Sequence, residues 1–352
     1  MLMPVLTMSS IQVHVRESSA VRFSMAGFVA LGFLAAGFSG QGCDLCAINN
    51  AASTRPDGGR GFVLSLAQQY IPSGTVQLDG RSLPASLLDS VYLESFQTHL
   101  VPTYNVSDRL GFSLNVPYVY RSFNRLQLTP SGVSSERGTE QGLGDLSAIV
   151  RFAPVHLQKM KWSFGINAYG GAKFPTGDTA RVRDEVASTK ALDALYGVGH
   201  QHAVSGVHLR DLALGSGSWD GVFGLGINSR WTRWFFNSHA QYYLRTAGAS
   251  DYRYGSEWMV STGPGAYLVT KPSFTVSLQA LLSYDEMAPD RVFSHDVSST
   301  GMRAWYLGPD LKITLGEHAS LNAGVDLPLS IDNRGLQNVP EFRFHGGLSW
   351  RF

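Results

Sequence analysis

The first side chains in this 352-residue chain that could do chemistry are two cysteines, Cys43 and Cys46. Two thiols with two residues between them can close a strained disulfide or share a soft metal ion. No histidine follows Cys46, so covalent haem attachment is not indicated. A structural zinc site would need further ligands, and none lies nearby in sequence. We favour a small disulfide in an oxidising compartment, with a redox or copper-related role as the alternative.

Three histidines stand close together much later in the chain, at His200, His202 and His208. Imidazoles spaced in this way can bind Zn or Cu. Histidines in exposed loops more often bind nothing. These three residues are therefore, with the two cysteines, candidate metal ligands, and the sequence calls for no cofactor.

Ionisable side chains scattered through apolar segments form a third set. At membrane depth such groups are tolerated only where they face water or pair with one another. The candidate lumen and solute-pathway residues are Arg121, Asp145, Arg151, Lys173, His239, Arg245, Glu257, Asp310, Lys312 and Arg343, accompanied by His99, Asn167, Asp326 and His345. Two interpretations stay open: an interior cross-braced by salt bridges, or a polar constriction that screens solutes by size and charge. Both signs occur in similar numbers, so we predict no strong ion selectivity.

Enzymatic chemistry is poorly supported by the sequence. A surface lipase would need a serine with a histidine base within hydrogen-bond reach. His318 and Ser320 are the nearest such pair in sequence, but they fall at a predicted turn and no third, orienting group is evident. We therefore predict that the protein is not an enzyme.

Strands must position the ionisable set, and the final segment shows this most clearly. Its apolar face carries Phe342, Phe344, Gly346, Leu348, Trp350 and Phe352, and its other face carries Glu341, Arg343, His345, Gly347, Ser349 and Arg351. This strict alternation is typical of a strand with one face in lipid. The segment resembles the closing strand of bacterial outer-membrane barrels, whose terminal aromatic is an assembly signal. The resemblance implies that Trp350 and Phe352 are read by the barrel-assembly machinery.

Similar alternation recurs along the chain and predicts twelve strands. They cover residues 60–70, 93–106, 109–122, 142–154, 161–175, 217–228, 232–246, 254–269, 272–285, 302–316, 319–331 and 341–352. Short turns, one of them over 229–231, separate some strands, and longer polar loops, such as 123–141 and 176–216, separate the others. Short turns on one side and long loops on the other are typical of a single-chain outer-membrane barrel. Within the longest loop, residues 181–195 are predicted to form a helix folding into or over the mouth.

The start of the chain predicts secretion. Arg16 and Arg22 precede an apolar run over 23–38 that is too short for a transmembrane helix and ends in small residues, as in a signal peptide. We assign residues 1–42 to the signal peptide and leader, 43–58 to a periplasmic segment and 59–352 to the barrel. A lipid-modified Cys43 is the alternative, although residues 40–42 lack the leucine of that motif. The formal charge of +1 argues against a nucleic-acid partner.

Three glycine-rich motifs carry a family resemblance. They occupy residues 142–146 (GLGDL), 174–178 (FPTGD) and 215–220 (GSGSWD). The chain resembles the outer-membrane transporter family named for the meta-cleavage pathway of phenol degradation, which is related in style to the long-chain fatty acid transporters. This resemblance implies a passive channel for small hydrophobic or aromatic compounds. From the residues alone, Asp145, Asp178 and Asp220 beside glycines also suit tight turns at a barrel rim.

The sequence thus predicts an all-β protein, a single antiparallel transmembrane barrel of about twelve strands in the outer membrane of a Gram-negative bacterium. The predicted function is passive passage of small solutes, with membrane lipid and a small-molecule solute as partners. The alternative is a barrel scaffold with a redox or metal-linked role through Cys43, Cys46 and the loop histidines.

Overall fold

Twelve long antiparallel strands form the body of the protein. The computed structural model describes residues 59–84, 90–129, 132–196, 205–293 and 295–352. The predicted signal peptide, Cys43, Cys46, His200 and His202 lie outside these ranges. The strands are β1 (Gly61–Ser73), β2 (Tyr92–Asn105), β3 (Leu110–Thr129), β4 (Ser147–Gln158), β5 (Trp162–Lys173), β6 (Asp220–Trp231), β7 (Trp234–Leu244), β8 (Glu257–Thr270), β9 (Phe274–Met287), β10 (Met302–Leu315), β11 (Ala319–Asn333) and β12 (Arg343–Arg351).

Each strand pairs with the next one in the chain, and the last pairs with the first. The β1–β12 pairing runs from Val63 opposite Arg351 to Tyr70 opposite Phe344. Closure leaves no free sheet edge, which a membrane-spanning sheet requires because lipid cannot satisfy unpaired backbone groups. The predicted fold, a single antiparallel barrel, is confirmed.

Side chains alternate between the outer wall and the lumen. Leu66 lies opposite both Leu100 and Leu348, and these three leucines are 42–47% exposed on the outer wall. Their chain neighbours Ala67 and His99 are 1% and 0% exposed on the inner wall. A register slip of one residue would exchange these faces. The apolar outer row therefore fixes the register.

A charge placed in that outer row should be costly. We expect Leu66→Arg to lower the free energy of unfolding by about 2–4 kcal/mol, because Leu66 lies at the middle of β1 on the lipid side. Leu66→Ala is the matched control, since it removes the same side chain without adding a charge. Equilibrium unfolding by urea in lipid vesicles measures both variants. Equal losses in the two variants would contradict the assigned face.

The two ends of the barrel differ in the length of their connections. At one end the strands are joined by turns over 106–109, 159–161, 232–233, 271–273 and 316–318. At the other end they are joined by loops over 74–91, 130–146, 174–219, 245–256, 288–301 and 334–342. This asymmetry assigns the turns to the periplasmic end and the loops to the extracellular end. The turn predicted at 229–231 is wrong, because Trp231 belongs to β6 and pairs with Trp162 and Trp234.

The loop predicted over 123–141 is also wrong. β3 continues to Thr129, and a further strand, Gly132–Leu143, pairs with its upper part from Tyr118 onward. We call this projecting pair the hairpin. Its second strand is exposed or half-buried along its whole length, so no apolar face alternates with a polar one. Residues 142 and 143 belong to this second strand of the hairpin. The strand predicted over 142–154 therefore begins too early, and β4 starts at Ser147.

Smaller elements cover the extracellular end. The helix α1 spans Ala180–Tyr196, close to the helix predicted over 181–195. Single-turn helices occupy Leu209–Leu212 and Ala249–Asp251, and short strands occupy Thr75–Leu78, Arg81–Ser82, Tyr252–Arg253, Arg291–Val292, His295–Asp296 and Leu336–Val339. Within the described ranges, no helix has the length and apolar character needed to cross a membrane.

Aromatic rings mark the periplasmic edge of the lipid-facing wall. At the periplasmic edge Trp162, Trp231 and Trp234 form one row across three strands, with Lys159 and Arg233 over the outer two rings. Amphipathic rings favour this depth, where one side is apolar and the other is wet. At the end of β12 the Phe352 N–H donates to the Phe62 carbonyl at 3.0 Å. The assembly role of Trp350 and Phe352 stays a prediction.

Candidate functional site

A segment that follows α1 enters the mouth of the barrel. We call residues 205–219 the plug segment. Its residues Val207 and Leu212 are 1% and 0% exposed, and they pack in one apolar cluster with Leu93 and Phe123 of the inner wall. Burial of apolar side chains against the wall holds the segment inside the barrel.

The first end of the plug segment is hydrogen-bonded to the loop between β11 and β12. The Asn338 N–H donates to the Gly206 carbonyl at 2.9 Å, and Nε2 of His208 lies 3.2 Å from the Leu336 carbonyl oxygen. One ring nitrogen of this candidate metal ligand is thus engaged with the protein. Across the part of the chain that the structure describes, no three His, Cys, Asp or Glu side chains are grouped for a metal ion.

A buried ion pair anchors the middle of the plug segment. The Arg210 guanidinium donates to the carboxylate of Asp290, which also accepts from the Tyr252 hydroxyl and, at 2.7 Å, from the Gly255 N–H. Arg210 is 5% exposed and Asp290 is 0% exposed. The Tyr254 hydroxyl adds a bond of 3.0 Å to the Arg210 carbonyl. Because both charges are removed from water, the loss of either one would leave the other buried and unpaired, which is strongly destabilising.

A second buried ion network anchors the far end. Nζ of Lys173 lies 2.7 Å from Asp145, 2.8 Å from Asp220 and 2.6 Å from the hydroxyl of Ser216 in the plug segment. Arg245 continues the network, at 3.1 Å from Asp220 and 2.7 Å from Glu257. The charges therefore form one connected chain from the β5 terminus to the start of β8.

The three glycine-rich motifs meet at this network. Asp145 accepts hydrogen bonds from the N–H groups of Gly177 and Ser216, both at 2.9 Å. A Cβ on Gly177 would lie 2.6 Å from the Leu214 carbonyl oxygen, and one on Gly215 would lie 2.6 Å from Asp145. Glycine is needed at both positions because two backbones approach here. The motifs thus build the socket that receives the plug segment.

Burial and charged partners shift the pKa values of the anchor groups in opposite directions. Burial alone would raise the pKa of the Asp145 carboxyl group, but the Lys173 ammonium and the backbone N–H donors hold that pKa below its ordinary value. Burial likewise opposes the charge on Arg210, and Asp211 with Asp290 keeps its pKa well above the ordinary value. Asp145 and Arg210 are therefore ionised at neutral pH.

The depressed pKa of Asp145 predicts acid release of the plug segment. A carboxyl group whose folded pKa lies below its unfolded value stabilises the fold above the unfolded pKa, about 4. That stabilisation is lost as the pH falls through the folded value. We expect single-channel conductance to be constant between about pH 8 and 5 and to rise below about pH 4. Asp145→Asn should remove this titration, and an identical titration in that variant would contradict the assignment.

A cavity of about 200 Å³ lies between the plug segment and the inner wall. Its apolar lining comes from Ile71, Val119, Leu214, Met287 and Met302. Arg343 borders it, paired with Asp285 and with Asp326 (3.1 Å), and its guanidinium lies 3.7 Å from the centre of the Tyr306 ring. The cavity thus combines apolar patches with charges that already have partners.

Six of the predicted lumen residues line this cavity. They are Arg121, Asp145, Lys173, Arg245, Glu257 and Arg343. Arg121 donates to the Ala213 carbonyl of the plug segment. The other four predicted residues face the lumen elsewhere: His239 bonds Tyr169 at 2.6 Å, Asp310 bonds His345 at 3.0 Å, and Arg151 and Lys312 lie on the inner faces of β4 and β10.

Sequence reasoning missed four charged residues of the site. Arg210 and Asp290 lie in loops, where no alternation reveals a facing direction. Asp220 stands within a quoted motif, and its part in an ion network depends on Lys173 from another strand. Asp285 could have been found, because it shares the inward face of β9 with Ser283.

Comparison with known proteins shows the fold. No family model matches the chain, and no curated protein matches it. An outer-membrane channel from Pseudomonas putida F1 is similar in structure, with a TM-score of 0.54, 13% sequence identity, and coverage of 84% of this chain and 98% of that one. A Pseudomonas aeruginosa FadL homologue gives a TM-score of 0.39 at 10% identity, covering 86% of this chain and 94% of the other.

The closed barrel and the similarity to the P. putida protein define the class. This chain is an outer-membrane β-barrel of twelve strands. The predicted fold class and location are confirmed, and the resemblance inferred from the motifs is confirmed at the level of the fold.

Proposed function

We propose that the protein is a passive channel for small hydrophobic or aromatic solutes, closed at its extracellular end by the plug segment. The observation that carries the proposal is the cavity beneath that segment. Its apolar patches lie beside cations that are already paired, such as Lys173, Arg245 and Arg343. An uncharged solute can occupy such a space without displacing a counter-ion, because these three cations keep their carboxylate partners.

Structural similarity to a known outer-membrane channel supports this proposal. The P. putida protein is described as an outer-membrane channel, and a further similar barrel, with a TM-score of 0.38 and 8% identity over 92% of this chain and 97% of its own, is described as a monoaromatic hydrocarbon channel. We infer the solute class from the lining of the cavity.

Liposome permeability tests the proposal. Phenol and benzamide cross lipid unaided, so the quantity measured is the entry rate with protein minus the rate in protein-free vesicles. This protein-dependent rate should be higher for phenol and benzamide than for a sugar of comparable mass. Exchange of Cys43 and Cys46 for serine is the control for the redox or metal-linked alternative, and the protein-dependent rate should be unchanged in that variant. Equal protein-dependent rates for aromatic solutes and sugar would count against an aromatic-selective channel, and no protein-dependent entry of either would exclude a channel.

A further inference from the structure

Arg151 differs from the other lumen cations in its partners. Lys173, Arg245 and Arg343 each contact two carboxylates. The Arg151 guanidinium instead lies 3.3 Å from the amide oxygen of Asn167 and 3.5 Å from that of Asn105. Both contacts are long for a charged donor, whose hydrogen bonds are ordinarily about 2.7–2.9 Å. Within the described ranges, no carboxylate pairs with Arg151.

The cross-strand neighbours of Arg151 carry no negative charge. On β3 the residue opposite Arg151 is Gly111, which has no side chain, and on β5 it is Tyr169. Nε of Arg151 is buried and has no hydrogen-bond partner among the described residues. A guanidinium with unused donors, half-buried on the inner wall, is placed to receive an anion from the lumen.

An aromatic pair lies on the neighbouring strands β5 and β7. The Tyr169 ring leans along the wall over Gly224, where a Cβ would lie 2.1 Å from its Cζ, and stacks on His239 with ring centres 5.3 Å apart. Nε2 of His239 is 2.6 Å from the Tyr169 hydroxyl. The stacked pair is therefore held in place, and it offers a planar apolar face beside a cation.

We propose that Arg151 is a carboxylate-binding site of the permeation path, and that the solutes include small aromatic acids. The carboxylate would take the guanidinium in a two-bond fork, the geometry that arginine offers and lysine does not. The ring of the solute would lie against Tyr169 and His239. This inference rests on the proposed channel function and adds to its solute class aromatic compounds that carry one negative charge.

Paired solutes separate the two proposals. Benzoate and benzamide have nearly the same shape and differ in charge, so each is tested on the wild-type protein and on Arg151→Gln in planar bilayers and loaded vesicles. Wild-type protein should retain benzoate at least about tenfold more strongly than benzamide, seen as longer current blocks. Arg151→Gln should abolish that difference by shortening the benzoate blocks to the length of the benzamide blocks.

Two further variants keep the test decisive. Arg303→Gln is the matched control, because Arg303 is exposed on the outer wall and pairs with Glu286, and it should behave as wild type. Arg151→Lys keeps the charge without the fork, and it should weaken benzoate retention only in part. Gel mobility with and without heating verifies that each barrel is folded. Equal retention of benzoate and benzamide by wild-type protein, or undiminished benzoate retention in folded Arg151→Gln, overturns the carboxylate site. Absence of protein-dependent entry for every aromatic solute overturns the channel proposal instead.

Discussion

Replacing Lys173 with methionine is expected to open the channel and to destabilise the barrel strongly. The ammonium group is 2% exposed and lies between two carboxylates that are 3% and 0% exposed. Removal of one member of a buried ion network leaves uncompensated charge, which costs about 3–5 kcal/mol. Ser216 of the plug segment also loses its bond to Nζ. Single-channel recordings should show a larger and noisier conductance, and urea unfolding should show the loss in stability.

Two controls accompany the Lys173 prediction. Lys159→Met alters an exposed lysine at a periplasmic turn and should change neither conductance nor stability. The double variant Lys173→Met/Asp145→Asn removes a carboxylate charge together with the ammonium, and it should recover part of the lost stability. Wild-type conductance and stability in Lys173→Met would show that the network does not hold the plug segment.

Replacing Asp290 with alanine is expected to have an effect of similar size at the other anchor. The change leaves the buried Arg210 guanidinium without this carboxylate and removes the acceptor for Tyr252 and for the Gly255 N–H. We expect the free energy of unfolding to fall by about 3–5 kcal/mol. We also expect frequent opening of the channel, because the middle of the plug segment loses its anchor. The same recordings and unfolding curves measure it.

Asp296→Ala provides the matched control for Asp290. Asp296 pairs with Arg291 at 2.7 Å, but these side chains are 57% and 52% exposed. Exposed pairs contribute about 0–1 kcal/mol, so stability should change little and gating not at all. Equal effects of the two substitutions would contradict the difference in burial on which the argument depends.

The barrel could be predicted from sequence because its physical constraint is local. Each spanning strand must place apolar side chains in lipid and polar ones in water, which produces a period of two within about ten residues. Leu321 and Asn322 on β11 show this directly, the first 46% and the second 2% exposed. All twelve predicted strands overlap observed ones, and the inward direction of eight of the ten predicted lumen residues follows from the same period, since only Asp145 and Arg245 lie in loops.

The closure of the barrel mouth could not be predicted because its contacts are not local. Arg210 meets Asp290 across eighty residues, and Ser216 meets Asp145 across seventy-one. Neither pair leaves a periodic signal, since each lies in irregular loops. The hairpin was missed for the opposite reason: both of its faces meet water, so no burial pattern marks Gly132–Leu143 as a strand.

The hairpin has one more consequence. β3 has twenty residues where about ten suffice to cross the bilayer, so its upper half projects beyond the membrane on the extracellular side. Two ion pairs connect the hairpin to α1: Arg181 lies 2.9 Å from Glu136 and 2.6 Å from Glu140. Glu185 of the same helix accepts from the Leu209 N–H of the plug segment at 2.9 Å. An antibody or phage that bound the hairpin would therefore apply force to the plug segment through α1. Recognition at the cell surface and permeability would then be mechanically linked.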